Sequence, residues 1–350
     1  MNLERQLETI LDKAWCGIPL DRRDCGYLLS LDERSFDAGI LRAAAASLVR
    51  TKNDNSAIIL GQIGIDASYC AGGCKFCNFG EGRGDLEPSY LSEDQLEEKI
   101  AGFCREGDLY GLYLMTMHNY DLKRYLNYIG IARKSVPEQT QLWANVGDTD
   151  RDAFIEMKNA GVTGVYHVCR LGEGTDTRLK PEDRIKTMQN ALDAGLELYT
   201  CCEPIGPEHT VNQLVDNIFI GIEMGITQHA AMRRIAVPGS PLAHHGQISE
   251  LRLAQIVSVI ALCSLSVPSM AYMGVHEPNA LSYASGANIV TAESGANPRD
   301  SHSDTSNNRG MDMARCRKML FEAGFDYIRR GDERKIKLDL NYLIQTDSLK

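Results

Sequence analysis

The sequence predicts an α/β fold: a closed (β/α)8 barrel of the TIM type with an N-terminal helical extension. Three observations carry this. The first 50 residues read as helix throughout. Beyond them, short apolar segments alternate with amphipathic ones, the pattern of parallel strands joined by right-handed crossovers. The alternation runs through eight units over roughly 270 residues, the size of a closed barrel. An open doubly wound sheet is the alternative that the same alternation allows.

In chain order, "MNLERQLETILDKAW" is an amphipathic helix with acids and bases mixed, unlike a signal peptide. The helical lead-in ends in "ILRAAAASLVR". The predicted strands are "AIILGQIGI" (57–65), "LYGLYLMTM" (109–117), "QLWANV" (141–146), "GVYHV" (164–168), "LELYTCCE" (196–203), "HAAMRRIAV" (229–237), "VPSMAYM" (267–273) and "NIVTA" (288–292). The helices between them fall at 92–106, 120–134, 150–159, 181–194, 210–224, 249–264 and 278–285, with a last one near 311–323. Three parts are expected: a helical lead-in over 1–50, a barrel domain over 51–330 and a C-terminal tail over 331–350.

Composition narrows the function. Of 350 residues, 43% are hydrophobic and 24% charged, the profile of a folded globular chain. A net charge of −10 argues against a nucleic acid or an anionic membrane surface as partner. The longest apolar run, "QIVSVIALCSLSVPSM", is interrupted by Ser and Pro and is too short to span a bilayer. A cytoplasmic location is expected. Eleven cysteines are an odd count in such a chain, so a disulfide framework is not expected and most thiols read as small buried hydrophobes.

The exception is "YCAGGCKFCNFG". It sets Cys70, Cys74 and Cys77 within eight residues, just past the first strand. In a barrel, chemistry gathers on the loops after the strand C-termini. Three thiolates can hold three corners of an iron–sulfur cube and leave one iron open. A structural zinc site wants four protein ligands, and no fourth Cys or His lies close by in the sequence. Gly72 and Gly73 let the backbone wrap tightly there.

C-x3-C-x2-C with an aromatic before the last cysteine ("CKFC") resembles the signature of the radical S-adenosylmethionine (SAM) enzymes. The likeness extends over about residues 20–330, to the subgroup of biotin synthase, the [FeFe]-hydrogenase maturase HydE and methylornithine synthase (PylB). "LLSLDERSFDAGILRAAAASLVR" resembles their helical lead-in, "EDRIKTMQNALDAGLEL" their fourth helix and fifth strand, "PGSPL" the loop after strand six, and "SGANIVTA" strand eight. The resemblance implies a [4Fe–4S] cluster on Cys70, Cys74 and Cys77, with SAM on the open iron. Reductive cleavage of SAM to a 5′-deoxyadenosyl radical, and hydrogen abstraction from a small substrate, follow from it.

The family roles fall on definite residues. Met115 and Thr116, at the end of strand two, stand where the subgroup contacts the SAM amino group. Arg184, near the start of a helix, stands where it binds the SAM carboxylate, and a guanidinium fork suits a carboxylate. Glu173 is the candidate for the ribose hydroxyls, with Asp176 its competitor. Arg170, Cys169, Cys201, Arg233, His118, His167 and His276 are candidates for contact with a small anionic or amino-acid-like substrate. Arg233 is the strand-six arginine that aligns with the subgroup's inward one. A low-potential electron donor such as ferredoxin or flavodoxin is the implied partner. The reaction is a rearrangement or a metal-cofactor maturation step. Sulfur insertion, as in biotin or lipoyl synthases, needs a second cluster, and a non-catalytic iron–sulfur carrier is the rival from another class. Strands two and three lack the cysteines of a biotin-synthase-like second cluster, so none is expected.

Overall fold

The computed structural model describes residues 4–80, 88–236, 239–300 and 304–349. Eight parallel strands close on themselves: β1 (Ser56–Gly64), β2 (Gly111–Met115), β3 (Gln141–Asn145), β4 (Gly164–Tyr166), β5 (Glu197–Ile205), β6 (Gln228–Arg233), β7 (Tyr272–Val275) and β8 (Ile289–Gly295). Closure is made by β1, which pairs with β8 over Ile58–Gly64 and with β2 over Leu60–Gly64. The fold is therefore the (β/α)8 barrel, not the open sheet.

Three lead-in helices come first: α1 (Arg5–Trp15), α2 (Arg22–Ser30) and α3 (Phe36–Lys52). The outer ring is α4 (Glu93–Cys104), α5 (Leu122–Ser135), α6 (Arg151–Asn159), α7 (Pro181–Asp193), α8 (Val211–Met224), α9 (Glu250–Ser264), the single turn α10 (Ala280–Tyr283) and α11 (Met313–Glu322). Local sequence sets the starts of these helices. Asp121, Asp150, Ser249 and Asp312 each accept a backbone N–H in the first turn of the helix they precede. Ser92 with Gln95, and Thr210 with Gln213, form capping boxes. Pro181 opens α7, where its missing N–H costs nothing. The lead-in packs outside the wall, α2 against α8 and α9, and α3 against α9.

The predicted strands are all present, with two shifts. Strand seven, expected over 267–273, runs over Tyr272–Val275 instead. Val267–Met270 is a turn closing α9, and Pro268 has no N–H to give a ladder. Strand six ends at Arg233, short of the expected 237, and Val237 and Pro238 lie outside the described residues. The rest of "PGSPL" turns into a short 3-10 helix at Ala243–His245. After the barrel, β9 (Tyr327–Arg329) pairs parallel with the start of β1 and antiparallel with β10 (Lys335–Lys337), and α12 (Leu340–Gln345) follows. This hairpin covers the N-terminal mouth of the barrel, where Glu333 accepts hydrogen bonds from Tyr110 and Tyr272.

The barrel interior is filled, not hollow. Tyr113 stacks on Trp143 at 5.3 Å between ring centroids, and Tyr199 meets Tyr113 and Tyr166 edge-on. This aromatic layer is the floor on which the site above it stands. No helix among the described residues is long and apolar enough to cross a membrane.

Candidate active site

Above the aromatic floor, the strand C-termini open on a cavity of about 1050 Å³, counted out to its mouth. Each strand or its first following residue gives it one wall residue. Gln62, Asn145, Tyr166, Glu203, His276 and Glu293 make it polar; Met115 and Met232 complete the ring. Cys70, Cys74 and Cys77 line the mouth on the loop after β1.

That loop is stitched to its neighbours by backbone. Cys70 N–H donates to the Phe79 carbonyl, Asn78 N–H to the Pro298 carbonyl, and Lys75 N–H to the Asp176 carbonyl. The Arg178 N–H donates to the Gly72 carbonyl, and Lys75 Nζ pairs with Asp176 at 3.0 Å. Asp176 thus serves the cysteine loop. Gly73 holds a positive φ of 55°. A side chain at Gly72 would press between two thiols: its Cβ would stand 3.4 Å from Cys70 Sγ and 3.6 Å from Cys74 Sγ.

The trio suits a cationic cluster. Burial and the neighbouring thiols push Cys77 up to about 12, so the free thiols resist ionising together. Iron offsets that repulsion, and the Phe79 N–H, 3.3 Å from Cys77 Sγ, favours a thiolate. Among the described residues, no group of three or more His, Cys, Asp or Glu side chains is arranged for a single metal ion.

Beside the trio lies a second group. Met115, Thr116, Met117, His118 and Arg184 line the wall. Asp66, just past β1, fixes the tip of β2: its carboxylate accepts Thr116 Oγ1–H and Met117 N–H, both at 3.0 Å. Arg184 on α7 is only 3% exposed. Its Nε donates to the Val168 carbonyl at 3.0 Å and its Nη1 to Asp148 Oδ1 at 2.8 Å. Asp148 also meets His167 Nε2 at 3.3 Å and His118 Nε2 at 3.8 Å. Burial, and then the Arg184 charge, push His167 down to about 3, so it is neutral.

The deeper wall carries two buried ion pairs. Arg170 Nε lies 3.1 Å from Glu203 Oε1, and Glu203 Oε2 accepts the Tyr166 hydroxyl at 2.6 Å. Across the cavity, Arg299 donates to Glu293 at 2.5 Å and lies 3.8 Å from Glu277. His276 accepts or donates to the Tyr199 hydroxyl at 2.7 Å and stacks on Tyr166. Burial pushes its pKa down to about 3.

Of the residues singled out in the sequence, the structure brings Cys70, Cys74, Cys77, Met115, Thr116, His118, His167, Arg170, Arg184 and His276 to one cavity wall. Four others stand away from it. Glu173 is buried in its own loop, accepting Arg170 N–H at 3.0 Å and Thr177 Oγ1–H at 2.6 Å, and it lies 3.6 Å from Arg184. The Cys169 carbonyl is held by Asn217, and its thiol is off the wall. Cys201 sits lower, in the aromatic layer. Arg233 turns outward to the Ile248 carbonyl and Glu250, because alternation along β6 gives the inward position to Met232. Sequence reasoning missed Asp148, Tyr166, Glu293 and Arg299. Counting polar residues at strand C-termini was the signal for them.

No family model matches the chain. Its sequence is similar to biotin synthases: 24% identical over 263 residues to that of Kocuria rhizophila, covering 72% of this chain and 55% of the relative. To that of Clostridium perfringens it is 24% identical over 205 residues, covering 54% and 61%. The chain therefore matches little more than half the length of these curated relatives. The fold is similar to methylornithine synthase (PylB), with TM-score 0.75 and 17% identity over 90% of this chain and 96% of the other. It is also similar to the [FeFe]-hydrogenase maturase HydG from Carboxydothermus hydrogenoformans, with TM-score 0.71 and 16% identity over 92% and 79%.

Proposed function

Because the chain is a relative of the radical SAM enzymes of the biotin synthase and PylB subgroup, we propose that it performs radical chemistry on a small amino-acid-like molecule in cofactor biosynthesis. A [4Fe–4S] cluster and SAM, when bound, supply one-electron cleavage and a hydrogen-abstracting radical. One observation carries the reading: the three cysteines, a buried arginine with free donors and a deeper polar chamber share one cavity. Cys70, Cys74 and Cys77 hold the cluster. Met115 and Thr116 present backbone to the SAM amino group. Arg184 makes two hydrogen bonds within the protein, to Val168 and Asp148, and its remaining N–H groups receive the carboxylate.

The deeper residues bind the substrate. Arg170 and Arg299 each already face a carboxylate, so a strongly anionic molecule would be poorly balanced there. A zwitterion inserts into such pairs with its charges matched, carboxylate to arginine and ammonium to glutamate. Tyr166 and His276, both neutral, orient it by hydrogen bonds, and the aromatic floor excludes water from below. The electron comes from a low-potential donor such as ferredoxin or flavodoxin.

The first reading of the reaction is rearrangement or metal-cofactor maturation. Sulfur insertion is the second, favoured by the likeness to biotin synthases. Anaerobically reconstituted protein reduced with dithionite should release 5′-deoxyadenosine from SAM, and the variant with all three cysteines replaced by Ala should release none. Release by that variant sinks the proposal.

A further inference from the structure

We propose that Asp148 is a positioning residue that aims Arg184 into the cavity and so sets the affinity for SAM. This rests on the reading above and adds a residue to it. Asp148 follows β3 on the loop after Asn145 and is not itself on the cavity wall. Three residues that are on the wall converge on its carboxylate: Arg184 Nη1 at 2.8 Å, His167 Nε2 at 3.3 Å and His118 Nε2 at 3.8 Å. The Thr187 hydroxyl, one helical turn beyond Arg184 on α7, donates to it at 3.4 Å. One carboxylate therefore ties loop β3, the tip of β2, the end of β4 and helix α7 together at the rim. Burial disfavours its charge, but the His167 bond and the Arg184 charge outweigh that and hold it well below the usual carboxylate range. It is an anion at every working pH.

The guanidinium of Arg184 has two carboxylates competing for it. Asp148 takes Nη1 from the loop after β3, and Glu173 Oε2 lies 3.6 Å from Nε on the β4 loop. With Nε on the Val168 carbonyl and one Nη1–H on Asp148, three of the five N–H groups are left without a hydrogen bond among the described residues. Removing the Asp148 charge leaves Glu173 as the nearest anion. The guanidinium is then drawn toward the β4 loop, and its fork leaves the cavity. Asp148 itself bonds Arg184 and Thr187 and faces His167 and His118, so its replacement leaves the three cysteines in place.

The test uses anaerobically reconstituted full-length protein, SAM titration and iron analysis. In Asp148→Asn the iron content should match wild type, while the SAM dissociation constant rises about tenfold or more, the worth of one charge-assisted hydrogen bond. Asp148→Glu keeps the charge, displaced by one methylene, and should recover part of the loss. If the Asn variant does not fold, the Glu variant alone decides, with a rise of about threefold expected. The double variant Asp148→Asn with Arg184→Lys should bind no more weakly than Arg184→Lys alone, because the two act on one contact. Additive losses, or an unchanged dissociation constant in both Asp148 variants, overturn the inference. If wild type with intact cluster fails to bind SAM at all, the functional reading falls and this one with it.

Discussion

Cys201 and Cys202, adjacent on β5, face opposite sides of the barrel wall. Cys201 packs inside with Tyr166 and Tyr199; Cys202 lies in the layer between wall and helices, with Cys25 nearby. The period-two alternation of a strand makes this unavoidable. Both thiols are buried, and burial pushes both up. One inward thiol within the aromatic floor, packed with Tyr166 and Tyr199, is a poor start for a second cluster.

The expected iron content follows. Reconstituted wild type should hold about four irons per chain, and the variant lacking Cys70, Cys74 and Cys77 none. Iron and sulfide analysis of the two proteins decides it. Residual cluster in the variant would show another set of ligands and would raise sulfur insertion to the first reading.

Arg184→Lys keeps the charge and loses the fork. Binding of SAM should weaken by about 1.5–3 kcal/mol. The shorter ammonium cannot serve the Val168 carbonyl, Asp148 and a ligand together. Anaerobic titration measures it, and an affinity equal to wild type would remove Arg184 from the SAM contact.

Some of this was legible in the chain and some was not, for physical reasons. The cysteine trio is local, so its spacing alone declared it. Arg184 was picked out by the resemblance, which sets an arginine near the start of the helix that Pro181 opens. Alternating segments gave all eight strands, but strand seven was displaced: "VPSMAYM" is apolar, and the actual strand contains Gly274, which lowers its signal. Asp148, Glu203, Glu293 and Arg299 carry no motif. Each is one ordinary residue on a separate strand end or loop, and its partner lies elsewhere: Asp148 meets a residue 36 positions away. Glu173 shows the converse. Its position suggested a ligand contact, and the loop's own hydrogen-bonding needs absorbed the carboxylate.

Stability should fall as pH drops from 7.5 to 5. Burial holds His167 and His276 near 3 and His229 near 4, against an ordinary value of 6.5. Between those limits the unfolded chain binds protons that the folded chain refuses, so the stability present above 6.5 is lost on acidification. Each residue contributes up to about 2 kcal/mol of that loss at pH 5. Urea midpoints at the two pH values test it, with His229→Asn as the control. His229 lies outside the cavity, bonded to the Ile218 carbonyl, so its loss should flatten the dependence without touching SAM cleavage. A midpoint that rises on acidification contradicts the assignment.

Glu203→Gln separates the two halves of the cavity. Glu203 is 4% exposed and joins Tyr166 to Arg170. The amide keeps an oxygen for the Tyr166 hydroxyl but removes the charge facing Arg170. Breaking a buried pair by removing one partner usually costs about 3–5 kcal/mol. Here Glu173, 3.9 Å from Arg170 Nη1, remains as a weaker partner, so a loss of about 2–3 kcal/mol is expected. Adding Arg170→Met removes the stranded cation, and the double variant should lose less than the sum of the two single changes. The side-chain partners of Glu203 are Tyr166 and Arg170, not the cysteines or Arg184. Dithionite-driven release of 5′-deoxyadenosine in the absence of substrate should therefore persist in Glu203→Gln, within about threefold of wild type. Denaturant unfolding and product analysis measure the two quantities on the same preparation. If the folded variant holds its iron yet cleaves no SAM, Glu203 belongs to the cofactor half, and the division of the cavity is wrong.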